Sequence, residues 1–190
     1  MKWKNVLVIL VSVFCLSMIG AIPVLAGNTT GTKGDDVLIG TKGPDFINGA
    51  HGNDTIYGMA GADEIWGMSG QDRIYGGDGH DHLSGGSGQD RILGERGADR
   101  IFGDIGSDFL DGGPDNDFIK GGSGRDSIFG GSGNDILYGE ADSDKISGNA
   151  GDDVLYGGPG ADIMIGGPGY DICYADANDR YVDCEKVYGR

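Results

Sequence analysis

Sixteen aspartates recur at intervals of nine residues: Asp36, Asp45, Asp54, Asp63, Asp72, Asp81, Asp90, Asp99, Asp108, Asp117, Asp126, Asp135, Asp144, Asp153, Asp162 and Asp171. Carboxylates are hard oxygen donors, and a file of them at one phase of a repeat suits a hard divalent cation. A single Asp in a Gly-x-Asp turn ordinarily bonds its own backbone. Sixteen in phase point instead to a role that the repeat itself creates.

The repeating unit is cleanest in Gly121-Gly122-Ser123-Gly124-Arg125-Asp126-Ser127-Ile128-Phe129 and fills residues 31–174, which is 144 residues or sixteen copies without insertion or deletion. Its first position is always Gly, its fourth is Gly except at Asp115 and Asp142, and its eighth is Leu, Ile or Met until Cys173 in the last copy. The glycine half supplies turns, because Gly adopts positive φ without steric cost. The other half has room for a strand of about three residues, with the eighth side chain on one face and the seventh and ninth on the other. Two units therefore form one coil of eighteen residues, and the eighth-position column lines an interior between two parallel sheets. A disordered glycine-rich linker would share the composition but not these phase-locked columns.

The unit resembles the RTX, or hemolysin-type, calcium-binding nonapeptide Gly-Gly-x-Gly-x-Asp-x-U-x, in which U is a large aliphatic residue. The second position departs from that pattern, being Gly in only seven copies. The resemblance implies an all-β, right-handed parallel β-roll of sixteen repeats in eight coils. It also implies Ca²⁺ ions between equivalent loops of successive coils, held by the sixth-position aspartates and by carbonyls of the glycine loops. Eight loops on each side leave at most fourteen gaps. The strongest sites are expected where first, second and fourth positions are all Gly. Those loops begin at Gly76, Gly85, Gly121, Gly130, Gly157 and Gly166, and the expected ligands include Gly76, Gly79, Gly85, Gly88, Gly121, Gly124, Gly130, Gly133, Gly157 and Gly160.

Energetics lead to the same cation. One aliphatic side chain per nine residues is little burial to set against ordering nine backbones. Stacking also aligns like charges at strand spacing. A divalent ion that takes carboxylate and carbonyl oxygens together relieves both deficits.

The ends have a different composition. Lys2 and Lys4 precede an apolar run from Val6 to about Ile22, and Val24-Leu25-Ala26 offers a cleavage site, so residues 1–26 read as a secretory signal peptide and 27–30 as a linker. Without residues 1–26 the chain keeps 12 basic and 30 acidic side chains, a net charge of −18, which attracts cations and disfavours nucleic acid. The remaining pair, Cys173 and Cys184, reads as a disulfide in an exported protein, drawing residues 175–190 across the open end as a cap.

No His-Glu-x-x-His, Gly-x-Ser-x-Gly or phosphate-binding loop occurs. His80 and His82 flank Asp81 but read as a solvated pair. The expected function is that of a secreted, non-enzymatic calcium-binding module acting as an adhesive, a scaffold or a surface element toward a protein or glycan. The alternative is an accessory or remnant module of a secreted hydrolase or toxin whose catalytic domain is separate. Outward residues Ile136, Tyr138, Val154, Tyr156, Ile172 and Tyr174 stack as one apolar patch, a candidate for self-association or for cover by Tyr181, Val182, Val187 and Tyr188 of the tail.

Overall fold

The computed structural model describes residues 24–25 and 27–189. The expected signal peptide lies outside the described residues apart from Val24 and Leu25, which pair with Leu38 and Ile39. The chain is a parallel β-roll of twenty strands in two ten-stranded sheets, with odd-numbered strands in one and even-numbered strands in the other. Within the repeats the strands run from β3 (Val37–Ile39) to β18 (Ile172–Ala175). Registers are offset by eighteen residues throughout that region, as in Ile101↔Ile119 and Ile128↔Ile146.

The interior is the eighth-position column, from Leu38 to Cys173, every member of which is at most 1 % exposed. Alternation accounts for this: in strand after strand the middle residue is buried while its neighbours are half-buried or exposed. The seventh and ninth residues form the outer faces, where Arg73 pairs with Arg91, and Glu64 with His82, as charged ladders.

Each sheet holds more strands than eight coils supply, because the fold continues past the strict repeats. The expected linker contains strand β2 (Asn28–Thr30), paired with Phe46–Asn48, and Thr29 is buried at the start of the interior column. The tail meets the end of the roll by extending both sheets, with Cys184 and Val187 packed against the interior column. It adds β19 (Arg180–Val182) to one sheet and β20 (Lys186–Gly189) to the other. Ile163 aligns with Arg180 and Ile172 with Lys186, offsets of 17 and 14 residues instead of eighteen, so the tail is two further copies whose turns have been shortened. Cys173 and Cys184 are bonded, with Cα atoms 6.0 Å apart, which ties the last turn to the interior.

The expected apolar patch forms and runs further than its six residues. Tyr138, Tyr156 and Tyr174 stack with centroids 4.4 and 4.3 Å apart, and Tyr188 of the tail joins the ladder at 5.0 Å. Phe102 and Phe118 extend it at the other end. The tail therefore lengthens this face rather than covering it, while Tyr181 and Val182 are exposed on the opposite sheet.

The second position has the tightest backbone demand. From the third copy to the sixteenth its φ is positive, between 69° and 80° at Ala50, Met59, Met68, Glu95, Asp104, Glu140 and Asn149, and between 96° and 115° where it is Gly. Side-chain-bearing residues there are held in the left-handed well, at a cost of roughly 1–2 kcal/mol each. Replacing Met59 by Gly is expected to stabilise the roll by roughly 0.5–1 kcal/mol, the relieved strain less the added chain entropy. A raised urea midpoint in saturating calcium would show it, and an unchanged or lowered midpoint would contradict it.

Candidate metal centre

The turn before each strand carries the sixth-position aspartate inward, so that Asp45 and every later member of the column is at most 5 % exposed. Its two oxygens have different surroundings. Oδ1 accepts the main-chain N–H of the aspartate eighteen residues earlier, at 2.8–2.9 Å in all fourteen pairs from Asp36–Asp54 to Asp153–Asp171. Oδ2 is buried with no hydrogen-bond donor in the fourteen aspartates from Asp54 to Asp171. A buried carboxylate oxygen without a donor carries a large desolvation penalty unless a cation reaches it.

Glycine marks where that cation would find its other ligands. A Cβ on Gly139 would lie 2.5 Å from Asp144 Oδ2 and 2.6 Å from the Gly157 carbonyl oxygen one coil on. On the other side of the carboxylate, a Cβ on Gly79 would fall 3.0 Å from Asp81 Oδ1 and against the Gly61 carbonyl, and one on Gly160 would fall 2.8 Å from Asp162 Oδ1 and against the Asp142 carbonyl. Each gap between successive coils thus receives Oδ2 from one coil, Oδ1 from the next, and carbonyls from both. Among the described residues no three His, Cys, Asp or Glu side chains converge on one point. The donor set is therefore carboxylate plus main-chain oxygen, the preference of Ca²⁺ rather than of softer metals. These residues fit such an ion, and what it supplies when bound is positive charge between stacked carboxylates.

Of the expected glycines, Gly76, Gly85, Gly121, Gly130 and Gly157 stand against Oδ2, Gly79, Gly88 and Gly160 stand against Oδ1, and Gly124 and Gly133 meet only a carbonyl of the coil before and its neighbours; none is set apart from the other copies. Gly58, which precedes Met59, faces Asp63 Oδ2 as Gly76 faces Asp81 Oδ2, each at 2.6 Å from the Cβ position. The copies differ in backbone strain at the second position, not in carboxylate geometry. His80 Nδ1 accepts the Ala98 N–H and His82 packs against Phe102, so the pair does not converge.

Three features escaped the repeat pattern. Asp36 and Asp45 already have partners for their carboxylates: the N–H and hydroxyl of Thr32 bond Asp36, and those of Thr41 bond Asp45. Beyond the last copy, Asp179 Oδ1 accepts the Asp162 N–H at 2.9 Å, and Glu185 Oε2 accepts the Asp171 N–H at 2.7 Å. Glu185 directly precedes the x-U-x triplet Lys186-Val187-Tyr188, which was the available signal once fixed spacing was abandoned, whereas Asp179 precedes Arg180-Tyr181-Val182, with an exposed tyrosine in the U position. At the fifth position a second ladder forms, in which side chains accept the next coil's N–H, as Asp35 does from Asn53 and Asn53 from Gln71.

Two stacked sheets and two columns of oxygen-lined gaps define the class: a β-roll built to hold hard cations between its coils. The description "RTX calcium-binding nonapeptide repeat (4 copies)" matches residues 30–65, 57–92, 75–110, 84–119, 111–146 and 138–173, and the chain belongs to this family. It is a calcium-binding repeat protein. No curated protein matches the chain.

Burial raises the pKa values of the aspartates from Asp54 to Asp171 above the usual value of 3.8. Asp117, near mid-column, is pushed up to about 8, Asp99, Asp108, Asp135 and Asp144 to about 7, and Asp54, Asp63, Asp72, Asp90, Asp153 and Asp162 to about 6. Desolvation is the main cause; the bond to the neighbouring main-chain N–H opposes it, and carboxylates in adjacent coils add to it. An acid whose folded pKa lies above its unfolded value weakens the fold fully above the folded pKa, and the penalty disappears as pH falls toward the unfolded value. The calcium-free chain is therefore expected to gain β-sheet circular dichroism as pH is lowered from 8 to 5, protons neutralising the column in place of cations. A spectrum unchanged over that range would contradict this.

Proposed function

We propose that this chain is a secreted, non-enzymatic module that folds when it meets calcium outside the cell and then serves as a rigid scaffold or adhesive element. The observation that carries the reading is the set of fourteen buried aspartate oxygens without a donor, in two files through the roll. A chain with that interior has a strong reason to stay unfolded where calcium is scarce. Binding free energy is then folding free energy. Extracellular calcium modules bind in the range of about 10⁻⁴ to 10⁻³ M, so export and folding are coupled by the ion gradient itself. The apolar leader after Lys2 and Lys4 supports export, as does the bond between Cys173 and Cys184, since disulfides persist in oxidising compartments. The non-enzymatic reading rests on the use of the aspartates, whose carboxylates are engaged with main-chain groups of the next coil rather than gathered in a cleft.

The surface we assign to contact is the tyrosine ladder, beside which runs a groove of about 800 Å³ lined by Tyr138, Tyr156, Tyr174, Glu140, Pro159 and Asp176. Its fitting occupant is a second copy, because the ring edges of another ladder have the same 4.3–5.0 Å period and can pack in register against the edges of these.

In chelator at pH 8 the oxidised chain is expected to lack β-sheet circular dichroism and to fold cooperatively as free calcium rises toward millimolar. A full sheet signal in excess chelator at that pH would overturn the calcium-coupled reading. Separately, sedimentation velocity in saturating calcium is expected to show a dimer for the parent and a monomer for a Val154→Asp, Tyr156→Asp variant that folds at the same calcium concentration. A monomeric parent would remove the ladder from the proposal.

A further inference from the structure

We infer that the two calcium files are shifted toward the C-terminus relative to the repeats: the aperiodic tail supplies Asp179, Glu185 and the Asp183 carbonyl as ligands for two terminal cations, while Thr32 and Thr41 close the first two gaps without any. This rests on the calcium reading above and adds to it sites that the sixteen copies do not contain.

At the C-terminal end, Asp162 and Asp171 belong to the last two copies and have no later nonapeptide to face. Both are nonetheless buried, at 1 % and 0 % exposure, and the Oδ2 atoms of both lack a donor, as in mid-column. The tail fills the place of the missing coil. A Cβ on Gly157 would lie 2.6 Å from Asp162 Oδ2 and 3.1 Å from Asp179 Oδ2, so two carboxylates enter the same gap; Asp179 Oδ2 also accepts the Asp176 N–H, whereas Asp162 Oδ2 has no donor. A Cβ on Gly166 would lie 2.6 Å from Asp171 Oδ2 and against the Asp183 carbonyl, which stands where a first-position glycine carbonyl stands elsewhere. Asp179 and Glu185 also accept the N–H bonds that a seventeenth and an eighteenth aspartate would accept. Shortening the turns has preserved every oxygen that matters and discarded the rest.

The N-terminal end is built the opposite way. The carboxylates of Asp36 and Asp45 receive the N–H and hydroxyl groups of Thr32 and Thr41, four neutral donors in the places that cations take further along. These are also the only two copies whose second residue avoids positive φ. Gly27 occupies the sixth position one coil before Asp45, so no carboxylate lies below Asp45. One end of each file is sealed by hydroxyls, and the other remains open until the tail docks. A calcium-dependent tail places Tyr188 on the tyrosine ladder, so occupancy of the two last gaps controls how far that ladder extends.

The test is ion counting by native mass spectrometry on the full oxidised chain in calcium, comparing the parent with Asp179→Asn, with Glu185→Gln and with the double variant. Each single change is expected to remove one ion and the double change two. Hydrogen exchange should remain slow in residues 31–160 of every variant and become fast in residues 176–189 of the double variant. Asp176→Asn is the control, since Asp176 Oδ1 serves only the Asn178 N–H, and it is expected to keep the parent's count. Equal counts in the parent and the double variant, or a tail that stays protected in the double variant, would overturn the inference while leaving the calcium-binding roll intact. A parent that binds no calcium would overturn the reading beneath it as well.

Discussion

The structure depends on one bond repeated from coil to coil, from the main-chain N–H of a sixth-position aspartate to Oδ1 of the aspartate one coil further on. Together with the bond from each seventh-position N–H to the aspartate carbonyl of the coil before, it fixes the rise between coils at the turn, and it brings a charge inside. The second oxygen then has no donor, because the turn's remaining N–H groups are committed elsewhere: the fourth-position N–H to the third-position carbonyl of the next coil, and the fifth-position N–H to a side chain of the coil before. A buried, half-satisfied carboxylate is costly, and fourteen of them cannot be an accident of packing. The same geometry explains glycine at the first position more fully than turn propensity does. A methyl group there would occupy the space between Oδ2 and the neighbouring carbonyl, which is where a cation needs access.

Much of this could be read from the sequence because the period is strict. A nine-residue phase fixes which residue faces inward, so the interior column, the two-sheet arrangement and the aspartate files follow from position alone, whereas the Cys173–Cys184 bond was read from a lone pair of cysteines in an exported chain. The outer patch was legible for the same reason, since residues eighteen apart must be neighbours. What period-reading missed lies where spacing changes but geometry does not. Residues 175–189 keep two strand triplets with an acid immediately before each, yet drop one residue from one turn and three from the next. A rule that counts nine sees only a break. The chain itself conserves the hydrogen bond, and Asp179 and Glu185 reach it from shorter loops.

The ranking of sites by glycine content also looks different in three dimensions. Non-glycine residues at the second position do not distort the carboxylate; they absorb the strain in φ. Copies such as that beginning at Gly58 thus have the oxygen geometry of the all-glycine loops at a conformational cost, and that cost is a handle on affinity separate from ligand identity. Because each carboxylate faces the gap above it and the gap below, neighbouring gaps share ligands. Strain released at one coil is felt in the next, a nearest-neighbour coupling of the kind that makes solenoids cooperative.

Cooperativity of this sort needs asymmetric ends. A file of identical gaps has no preferred place to start, and both terminal coils would expose sheet edges and uncompensated carboxylates. Here the first coil is stabilised by groups whose strength does not depend on calcium: threonine hydroxyls and main-chain N–H groups on Asp36 and Asp45. It can therefore act as the template onto which later coils add as cations arrive. The far end is tied by a covalent bond that does not depend on calcium either, but the segment it tethers docks against Asp162 and Asp171, whose buried Oδ2 atoms have no donor. The order that follows is directional, with growth from the hydroxyl-sealed end and closure by the tail last. It also accounts for the disulfide joining Cys184 to the final inward position, since a segment that docks last gains most from being held near its site beforehand.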